Sequence, residues 1–355
     1  ALSSVPEGDA LADLLTYHVV SGTVGSGDLS DGQVVTTVEG SSFTVSIDGS
    51  DVTLTDESGN TVSVVLTDVP AENGVIHVID AVLQPTQPIA TLADRTPALS
   101  TLRAALEAGE LVETLNGTGP FTVFAPVNDA FAAVGQDKLD ILLAPENQAL
   151  LQKVLTYHVL PGEVRAGDLT DGAMPVTVEG TPVTIDLSGD VPMVNAANIT
   201  ATDIEADNGV VHLIDAVLTE NLDIVDVATL NGFSTLVDLV VEAGLESTLR
   251  SDNGGNGWTV FAPTDEAFAA LSSVPTGQAL VDVLTYHVVS GTVESGDLSD
   301  GQIVTTVEGS TFTVNIAGSD VTITDGSGNT VSVVLTDVPA ANGVIHVIDE
   351  VILPS

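Results

Sequence analysis

The chain is built from an internal repeat, and this feature constrains its fold more than any other. Residues 1–85 align without a gap on residues 270–354, and about 70 of those 85 positions are identical. A more divergent copy lies between them, and a full copy is roughly 135 residues long. That length is typical of an ordinary domain and too long for a solenoid repeat. The sequence therefore predicts an array of independent domains.

The first copy lacks the N-terminal half of the repeat. Ala1 aligns with Ala270, which directly follows the stretch WTVFAPTDEAFA. Two sources for the missing half remain open: a segment upstream in a longer array, or a neighbouring molecule that would give head-to-tail assembly. The near-identity at a shift of 269 residues favours the first. We predict a C-terminal half-domain over 1–85 and complete domains over 86–221 and 222–355.

Helical patterns come first within a copy. The stretch 97–115 places Leu99, Leu102 and Leu106 on one helical face, with Ser100 as a candidate N-cap. The stretch PENQALLQKVLTYHV that begins at Pro145 shows a second helical pattern. We therefore expect several helices in the first half of each domain.

Strand patterns follow. Residues 34–69 alternate polar and apolar side chains, and EGS, DGS and ESGN turns interrupt their β-branched runs. Such a pattern is typical of antiparallel hairpins. Helices followed by strands predict an α+β domain.

The composition is strongly acidic. Fifty Asp and Glu face six Lys and Arg, which gives a formal net charge of −44. This charge argues against nucleic acid as a partner, because phosphates would be repelled. It suits salty surroundings, where screening shortens the self-repulsion to roughly 8–10 Å. No stretch approaches the roughly 20 apolar residues of a membrane span, so we expect no transmembrane segment.

Every tyrosine and histidine belongs to a repeated motif. Each of the three tyrosines precedes a histidine in LTYHVV or LTYHVL, and the other three histidines lie in NGVIHVID or NGVVHLID. A zinc site would need further ligands, and the chain has no cysteine and no GxSxG nucleophile motif. We therefore expect that the protein is not an enzyme. The motif residues are Tyr17, His18, Tyr157, His158, Tyr286, His287, His77, His212 and His346.

The spacing around these histidines favours a role in the fold. His158 lies four residues after Val154 and seven after Leu151, so the three share one helical face. His77 alternates with Val75 along a predicted strand. A histidine on an apolar stripe most often packs in the core and hydrogen-bonds a buried partner.

Three ordered motifs resemble the fasciclin (FAS1) family. The pattern TVFAP-x-[ND]-x-AF at 122–131 and 259–268 is similar to its first conserved box, the Tyr–His pair to its central motif, and NGV-I/V-H-V/L-ID to its second box. The resemblance covers essentially the whole chain. It implies tandem FAS1-like domains, each an antiparallel β-wedge with several packed helices, and a fold-maintaining histidine in the Tyr–His pair. It also implies secreted or surface-anchored proteins that act in adhesion or matrix assembly.

The resemblance further implies a candidate adhesion site just before the second box. In some animal members an Asp-Ile pair there is implicated in integrin binding, and only the middle copy of this chain keeps the isoleucine. A strand end with one inward apolar residue is the alternative interpretation. The candidate residues are Asp68, Val69, Asp203, Ile204, Asp337 and Val338.

Acidic turns with the sequences SGDLSDG and AGDLTDG could hold calcium through oxygen ligands, although they lack the DxDxDG spacing. Solvated surface turns are the other interpretation. We expect no cofactor, with calcium as the one ion that these turns could take. The candidate ligands are Asp28, Asp31, Asp168, Asp171, Asp297 and Asp300.

These features predict an extracellular or cell-surface multidomain adhesion or matrix protein, microbial and adapted to salt. Many weak contacts along the array would add up to strong attachment. Its partners would be polysaccharide, surface proteins or sister chains, bridged by divalent cations. Two alternatives remain open: a structural subunit of an extracellular filament, and a carrier of a small apolar ligand held between helices and wedge.

Overall fold

The computed structural model describes residues 9–56 and 59–355. The chain divides into two compact units, which interleave in sequence. The first comprises residues up to Asn128, His158–Val178 and Pro182–Asp215, and the second comprises Asp129–Tyr157, Glu179–Thr181 and Ala216–Ser355. The predicted domain boundaries at 85/86 and 221/222 stay predictions.

The described residues contain twelve α-helices, all short. None of these helices is long and apolar enough to cross a membrane. They are α1 (Asp9–Tyr17), α2 (Ile89–Arg95), α3 (Ser100–Ala108), α4 (Val112–Leu115), α5 (Asn128–Val134), α6 (Gln136–Leu143), α7 (Gln148–Tyr157), α8 (Ile224–Leu230), α9 (Ser234–Glu242), α10 (Glu246–Leu249), α11 (Asp265–Ala269) and α12 (Gln278–Tyr286).

The first predicted helix is confirmed in its apolar face and corrected in its ends. Leu99, Leu102 and Leu106 are all buried, as their spacing predicts. The prediction of Ser100 as N-cap was wrong: Ser100 is already helical, because a 3₁₀ turn runs directly into α3. The helix also stops early, since Glu110 adopts a left-handed conformation (φ 55°) and separates α3 from α4.

The first sheet is an antiparallel meander in which the strands pair in sequence order. Its strands are β1 (Val34–Thr36), β2 (Ser42–Asp48), β3 (Asp51–Asp56), β4 (Thr61–Ala71) and β5 (Gly74–Ile79). The predicted hairpins are thereby confirmed, except that residues 57–58 of the turn between β3 and β4 lie outside the described residues. The strand β5 forms one edge of this sheet.

Two larger sheets follow. The second has the order β7-β6-β11-β10-β9-β8, and the third has the order β13-β12-β18-β17-β16-β15-β14. The strands of the second are β6 (Phe121–Pro126), β7 (Val159–Pro161), β8 (Ile185–Asp186), β9 (Met193–Val194), β10 (Ala197–Ala206) and β11 (Gly209–Ile214). Those of the third are β12 (Trp258–Pro263), β13 (Val288–Ser290), β14 (Ile303–Thr305), β15 (Thr311–Ala317), β16 (Asp320–Thr324), β17 (Thr330–Ala340) and β18 (Gly343–Ile348).

Each of these two sheets contains one parallel pair, β6 with β11 and β12 with β18. The predicted wedge, which was wholly antiparallel, is corrected on this point. Parallel strands need a long connection. The helices α11 and α12 and five strands separate β12 from β18 in sequence, and this long connection lets β18 run in the same direction as β12. The fold is α+β, as predicted.

The core of the third sheet centres on aromatic rings from three elements. Phe261 of β12 and Phe312 of β15 meet edge to face with 5.1 Å between ring centroids, and Tyr286 of α12 meets Phe312 at 6.2 Å. All three side chains are buried with aliphatic residues of β15 to β18. This packing positions the end of α12, where the Tyr–His motif lies.

Candidate functional site

The Tyr–His motif of the third repeat is part of the core. The hydroxyl of Tyr286, the last residue of α12, donates to the carbonyl of Thr311 at 2.8 Å. The same oxygen accepts the N–H of Gly326 at 2.9 Å. Burial raises the pKa of Tyr286, which keeps the hydroxyl protonated. The side chain therefore ties α12 to β15 and to the turn between β16 and β17.

His287 is held as a neutral ring by two backbone groups. Its Nδ1 lies 2.8 Å from the carbonyl of Val283, and the N–H of Ile352 donates to its Nε2 at 3.1 Å. Since Nε2 accepts, the proton is on Nδ1, which donates to the carbonyl. Burial lowers the pKa of His287 to about 4. Both ring nitrogens are thus used by the fold.

The same contacts recur in the first repeat, with a different exposure. The hydroxyl of Tyr17 donates to the carbonyl of Ser42 at 2.6 Å, and the N–H of Leu83 donates to Nε2 of His18 at 3.1 Å. Tyr17 is fully buried, whereas His18 is exposed. The pair thus keeps its hydrogen bonds in the first repeat even though its histidine is not covered.

In the middle repeat both members of the motif, Tyr157 and His158, are buried. The contacts in the first and third repeats support a structural role for the motif.

The histidines of the NGV box bind a different set of backbone groups. Nε2 of His346 lies 2.9 Å from the carbonyl of Val293, and Nδ1 accepts the N–H of Asp337 at 3.3 Å. His212 makes the equivalent contacts at 2.9 Å and 3.2 Å, and both rings are completely buried. His77 keeps the Nε2 contact at 2.9 Å, to the carbonyl of Val24, but its Nδ1 has no partner among the described residues.

The structure brings the candidate adhesion aspartates to these histidines. Asp68, Asp203 and Asp337 adopt left-handed backbone conformations (φ 58°, 57° and 60°) where the strand pairing shifts register. Such a shift is the mark of a β-bulge. The Asp337 carboxylate accepts the N–H of Ser295 at 2.7 Å and also its hydroxyl. The aspartate therefore anchors the 3₁₀ turn that belongs to the SGDLSDG motif.

The other two copies keep this anchor. Asp68 accepts the N–H of Ser26 at 2.8 Å and also its hydroxyl, and Asp203 accepts the N–H of Ala166 at 2.8 Å. These serine hydrogen bonds lower the pKa of Asp68. For Asp337, burial works to raise the pKa, but the hydrogen bonds from its serine outweigh it and the pKa is lowered. The carboxylates of Asp68 and Asp337 are thus charged acceptors within the fold.

The apolar members of the candidate pairs are half-buried and lie opposite the box strand. Val69 pairs with Ile76, and Val338 pairs with Ile345. Ile204 lies opposite Val211 in the same way. The aspartate and its neighbour together form a bulged strand, and their role in adhesion stays a prediction.

Sequence reasoning missed an exposed apolar pair that ends two residues before Asp68 and again before Asp337. Val65 and Leu66 on β4, and Val334 and Leu335 on β17, expose more than half of their surface. The signal was available: the run VVL interrupts the alternation of polar and apolar residues on which the strand prediction relied. We call these two pairs the outer VL pairs.

Each of the six calcium candidates accepts a hydrogen bond from a backbone N–H through one of its carboxylate oxygens. Asp28, Asp168 and Asp297 accept from the residue three positions earlier in the chain, which closes their 3₁₀ turns. Asp31, Asp171 and Asp300 accept from a residue sixteen positions later, at 2.8, 2.8 and 3.0 Å. Across residues 9–56 and 59–355, no three acidic or histidine side chains converge in a way that could hold a metal ion.

A partly buried ion cluster was not predicted. Asp226 of α8 lies 2.6 Å from the Lys153 ammonium of α7 and 2.6 Å from the Arg250 guanidinium at the end of α10. Asp223 caps α8 by accepting the N–H groups of Val225 and Asp226, and lies 2.8 Å from the same guanidinium. Burial works to raise the pKa of Asp226, but its two cationic partners outweigh it and the pKa is lowered.

This cluster joins two predicted domains within the second compact unit. Lys153 belongs to the predicted middle domain, and the other three residues belong to the predicted last domain. The residue four positions before the motif tyrosine is lysine only in the middle copy, where the others have Asp13 and Asp282. A lysine at this position, in a strongly acidic chain with only two lysines, was the signal that could have located the junction.

The space between helices and sheet in the third repeat is nearly filled. A cavity of about 20 Å³ is lined by residues of α8, α9, α10, α12, β12, β13 and β18, among them Ile224, Leu236, Leu284, Val288 and Ile345. A single water needs about as much room, and a drug-sized ligand needs several hundred Å³. These elements pack against one another directly.

The three sheets, and the hydrogen bonds that recur in each of them, define a tandem array of one α+β module. In each module tyrosines, histidines and bulge aspartates connect helices, strands and turns. The chain belongs to the fasciclin family: the fasciclin domain profile matches residues 2–85, 97–220 and 231–354. Membership of this family places the chain among secreted and cell-surface proteins.

Known proteins similar to this chain come from animals and bacteria. Periostin from Homo sapiens is 31% identical over 291 residues, which are 80% of this chain and 33% of that protein. Protein sll1483 from Synechocystis sp. is 43% identical over 130 residues, which are 37% of this chain and 72% of that protein. The chain thus spans about a third of periostin. A solved FAS1 domain pair from the insect cell adhesion molecule fasciclin I superimposes with a TM-score of 0.33 at 18% identity, over 72% of this chain and 97% of that one.

Proposed function

We propose that this chain is an extracellular, non-enzymatic adhesion or matrix protein that acts by several weak contacts along its array. The observation that carries the proposal is the repetition of one module, in which the motif side chains are used by the fold. What each module then offers to a partner is its outer surface. Repeated weak contacts on one chain bind far more tightly than a single contact does.

The charge supports a partner class. With fifty acids against six bases, the array is strongly anionic. Anionic polysaccharide, acidic surface proteins and sister chains would be bridged to it by divalent cations, whose hard oxygen coordination suits carboxylates. The same charge supports adaptation to salt, because screening reduces self-repulsion.

The test is binding of the intact chain to alginate, an anionic polysaccharide, immobilised at several densities in millimolar calcium. Several engaged modules should make the apparent affinity rise steeply with alginate density, and a chelator should release the chain. Binding whose affinity is the same at every density would contradict multivalency.

The outer VL pairs and the bulge aspartates beside them are the proposed contact segments. Leu66→Ser and Leu335→Ser change exposed side chains, so they should leave the fold stable. Each substitution should weaken attachment moderately, and the double variant should weaken it more than either alone. Exposed Val274→Ser, which lies elsewhere in the third repeat, is the matched control and should bind as the unaltered chain does.

A further inference from the structure

Two strands with the same sequence have different surroundings in this chain. β5 and β18 both read GVIHVI, and each pairs antiparallel with the strand before it. On its other side β18 pairs in parallel with β12, so that Val260 lies opposite Ile345 and Ala262 opposite Val347. Within residues 9–56 and 59–355, β5 has no strand on that side. Its outer backbone groups form an open edge.

The side chains around this edge are exposed where their counterparts are buried. Ile76 and Val78 of β5 are 53% and 40% exposed, whereas their counterparts Ile345 and Val347 are 0% and 5% exposed. Burial of aliphatic side chains away from water is favourable. The open edge of β5 therefore carries an apolar surface whose burial against a partner would be favourable.

The uncovered surface continues onto α1 and the residues directly after it. Leu15 and Val19 are 58% and 50% exposed, against 2% for Leu284 and 4% for Val288 at the equivalent positions. In the third repeat this surface is covered by α8, α9 and β12, which supply Ile224, Leu236 and Val260 to the shared cavity lining. The third repeat thus shows which segment fits such a surface.

We propose that β5 and the exposed side of α1 form a docking surface for a polypeptide with the chemistry of residues 222–269. Its WTVFAP strand would run parallel to β5 in the register that β12 keeps with β18, and its helices would cover α1. Residues 1–85 and 270–354 are identical at about 70 of 85 positions. The segment that covers this surface in the third repeat should therefore also fit it in the first repeat. The docking surface is independent of the proposed adhesive function.

Gly74 of β5 provides a direct test of docking. A Cβ on Gly343 would lie 2.0 Å from the carbonyl oxygen of Trp258, because β12 passes directly over this position. A Cβ on Gly74, the equivalent residue of β5, would meet nothing within 4 Å. Gly74→Ala should therefore leave the chain unchanged and obstruct the docked strand. Gly27→Ala, also with open space around its Cβ, is the matched control.

The experiment titrates a polypeptide of residues 222–269 into the intact chain carrying Trp258→Phe, the residue type that the middle repeat has at Phe121. The only indole is then on the added polypeptide. High salt screens the repulsion between the two acidic partners. Saturable binding, with a blue shift of the indole emission and slower amide exchange over 74–79, is expected. Gly74→Ala should weaken the binding at least about tenfold, a loss of roughly 1.4 kcal/mol, and Gly27→Ala should not.

Four results would overturn the proposal. They are the absence of saturable binding, binding that Gly74→Ala leaves unchanged, amide protection at β18 instead of β5, and a dimer of the chain alone whose interface protects β5. If the free polypeptide aggregates, residues 222–269 are joined directly before Ala1. Protection of β5 in that fusion, lost with Gly74→Ala, supports the proposal, and an unprotected β5 refutes it.

Discussion

The repeated histidines provide matched pairs of one residue type in two environments. His18 and His287 make the same two backbone contacts, but His287 is buried and His18 is exposed. A hydrogen bond contributes more when its loss strands a buried group. The contribution of the motif to stability should therefore depend on how completely its module buries the histidine.

His287→Ala should reduce the free energy of unfolding of the third repeat by about 1–3 kcal/mol, because it strands the buried N–H of Ile352. Trp258, the only tryptophan, reports unfolding of this repeat by its fluorescence in denaturant. His18→Ala is the control and should reduce the stability of its own repeat by less. Equal stability of the His287→Ala variant and the unaltered chain would contradict a structural role.

The lowered pKa of His287 gives a pH dependence of definite sign. The folded pKa of about 4 lies below the unfolded value of 6.5, so the unfolded chain binds more protons between these values. The stabilisation is fully present above about pH 6.5 and is lost as the pH falls towards 4, by about 3 kcal/mol in total. His287→Asn should lack this part of the pH dependence. An NMR titration in which the His287 ring protonates near pH 6.5 would show that the residue is not buried in solution.

At the scale of elements, the ion cluster fixes how α7 meets α8 and α10 within the second compact unit. Asp226 is buried and binds two cations, so its loss would leave both ammonium and guanidinium without their shortest contact. Removal of one partner from a buried ion pair typically costs 3–5 kcal/mol, whereas exposed pairs contribute little.

Asp226→Asn should therefore lower the free energy of unfolding that Trp258 fluorescence reports by about 2 kcal/mol, less than for a fully buried pair because Lys153 and Arg250 are partly exposed. Glu246→Gln removes an exposed partner of the same arginine and should cost less than about 1 kcal/mol. Similar losses for the two substitutions would mean that the cluster is solvated.

The elements also show what a sequence can and cannot predict here. Local patterns predicted the helices and the hairpins of β1 to β4, because apolar periodicity and turn residues act within a few positions. The parallel pairing of β12 with β18 was missed, since it joins strands about 85 residues apart and depends on packing. The contact of Asp337 with Ser295 was not predicted for the same reason, because 42 residues separate them.

For the molecule as a whole, the charge of −44 dominates the response to solvent. Stability should rise with ionic strength as repulsion between carboxylates is screened. Thermal melts in low salt, in high sodium and with added calcium measure this effect. Calcium should exceed sodium at equal ionic strength only where carboxylates bind it specifically. A melting temperature that does not change with salt would contradict the salt adaptation proposed here.

The identical strands β5 and β18 have a consequence for the order of synthesis. A ribosome completes β5 long before it reaches residues 222–269, and it makes β18 some 75 residues after them. If β5 binds this segment as proposed above, the nascent residues 222–269 meet an acceptor strand of the same sequence before β18 has been made. On that proposal, the third repeat would assemble correctly only where β18 is made before this pairing occurs, or where β5 is already covered.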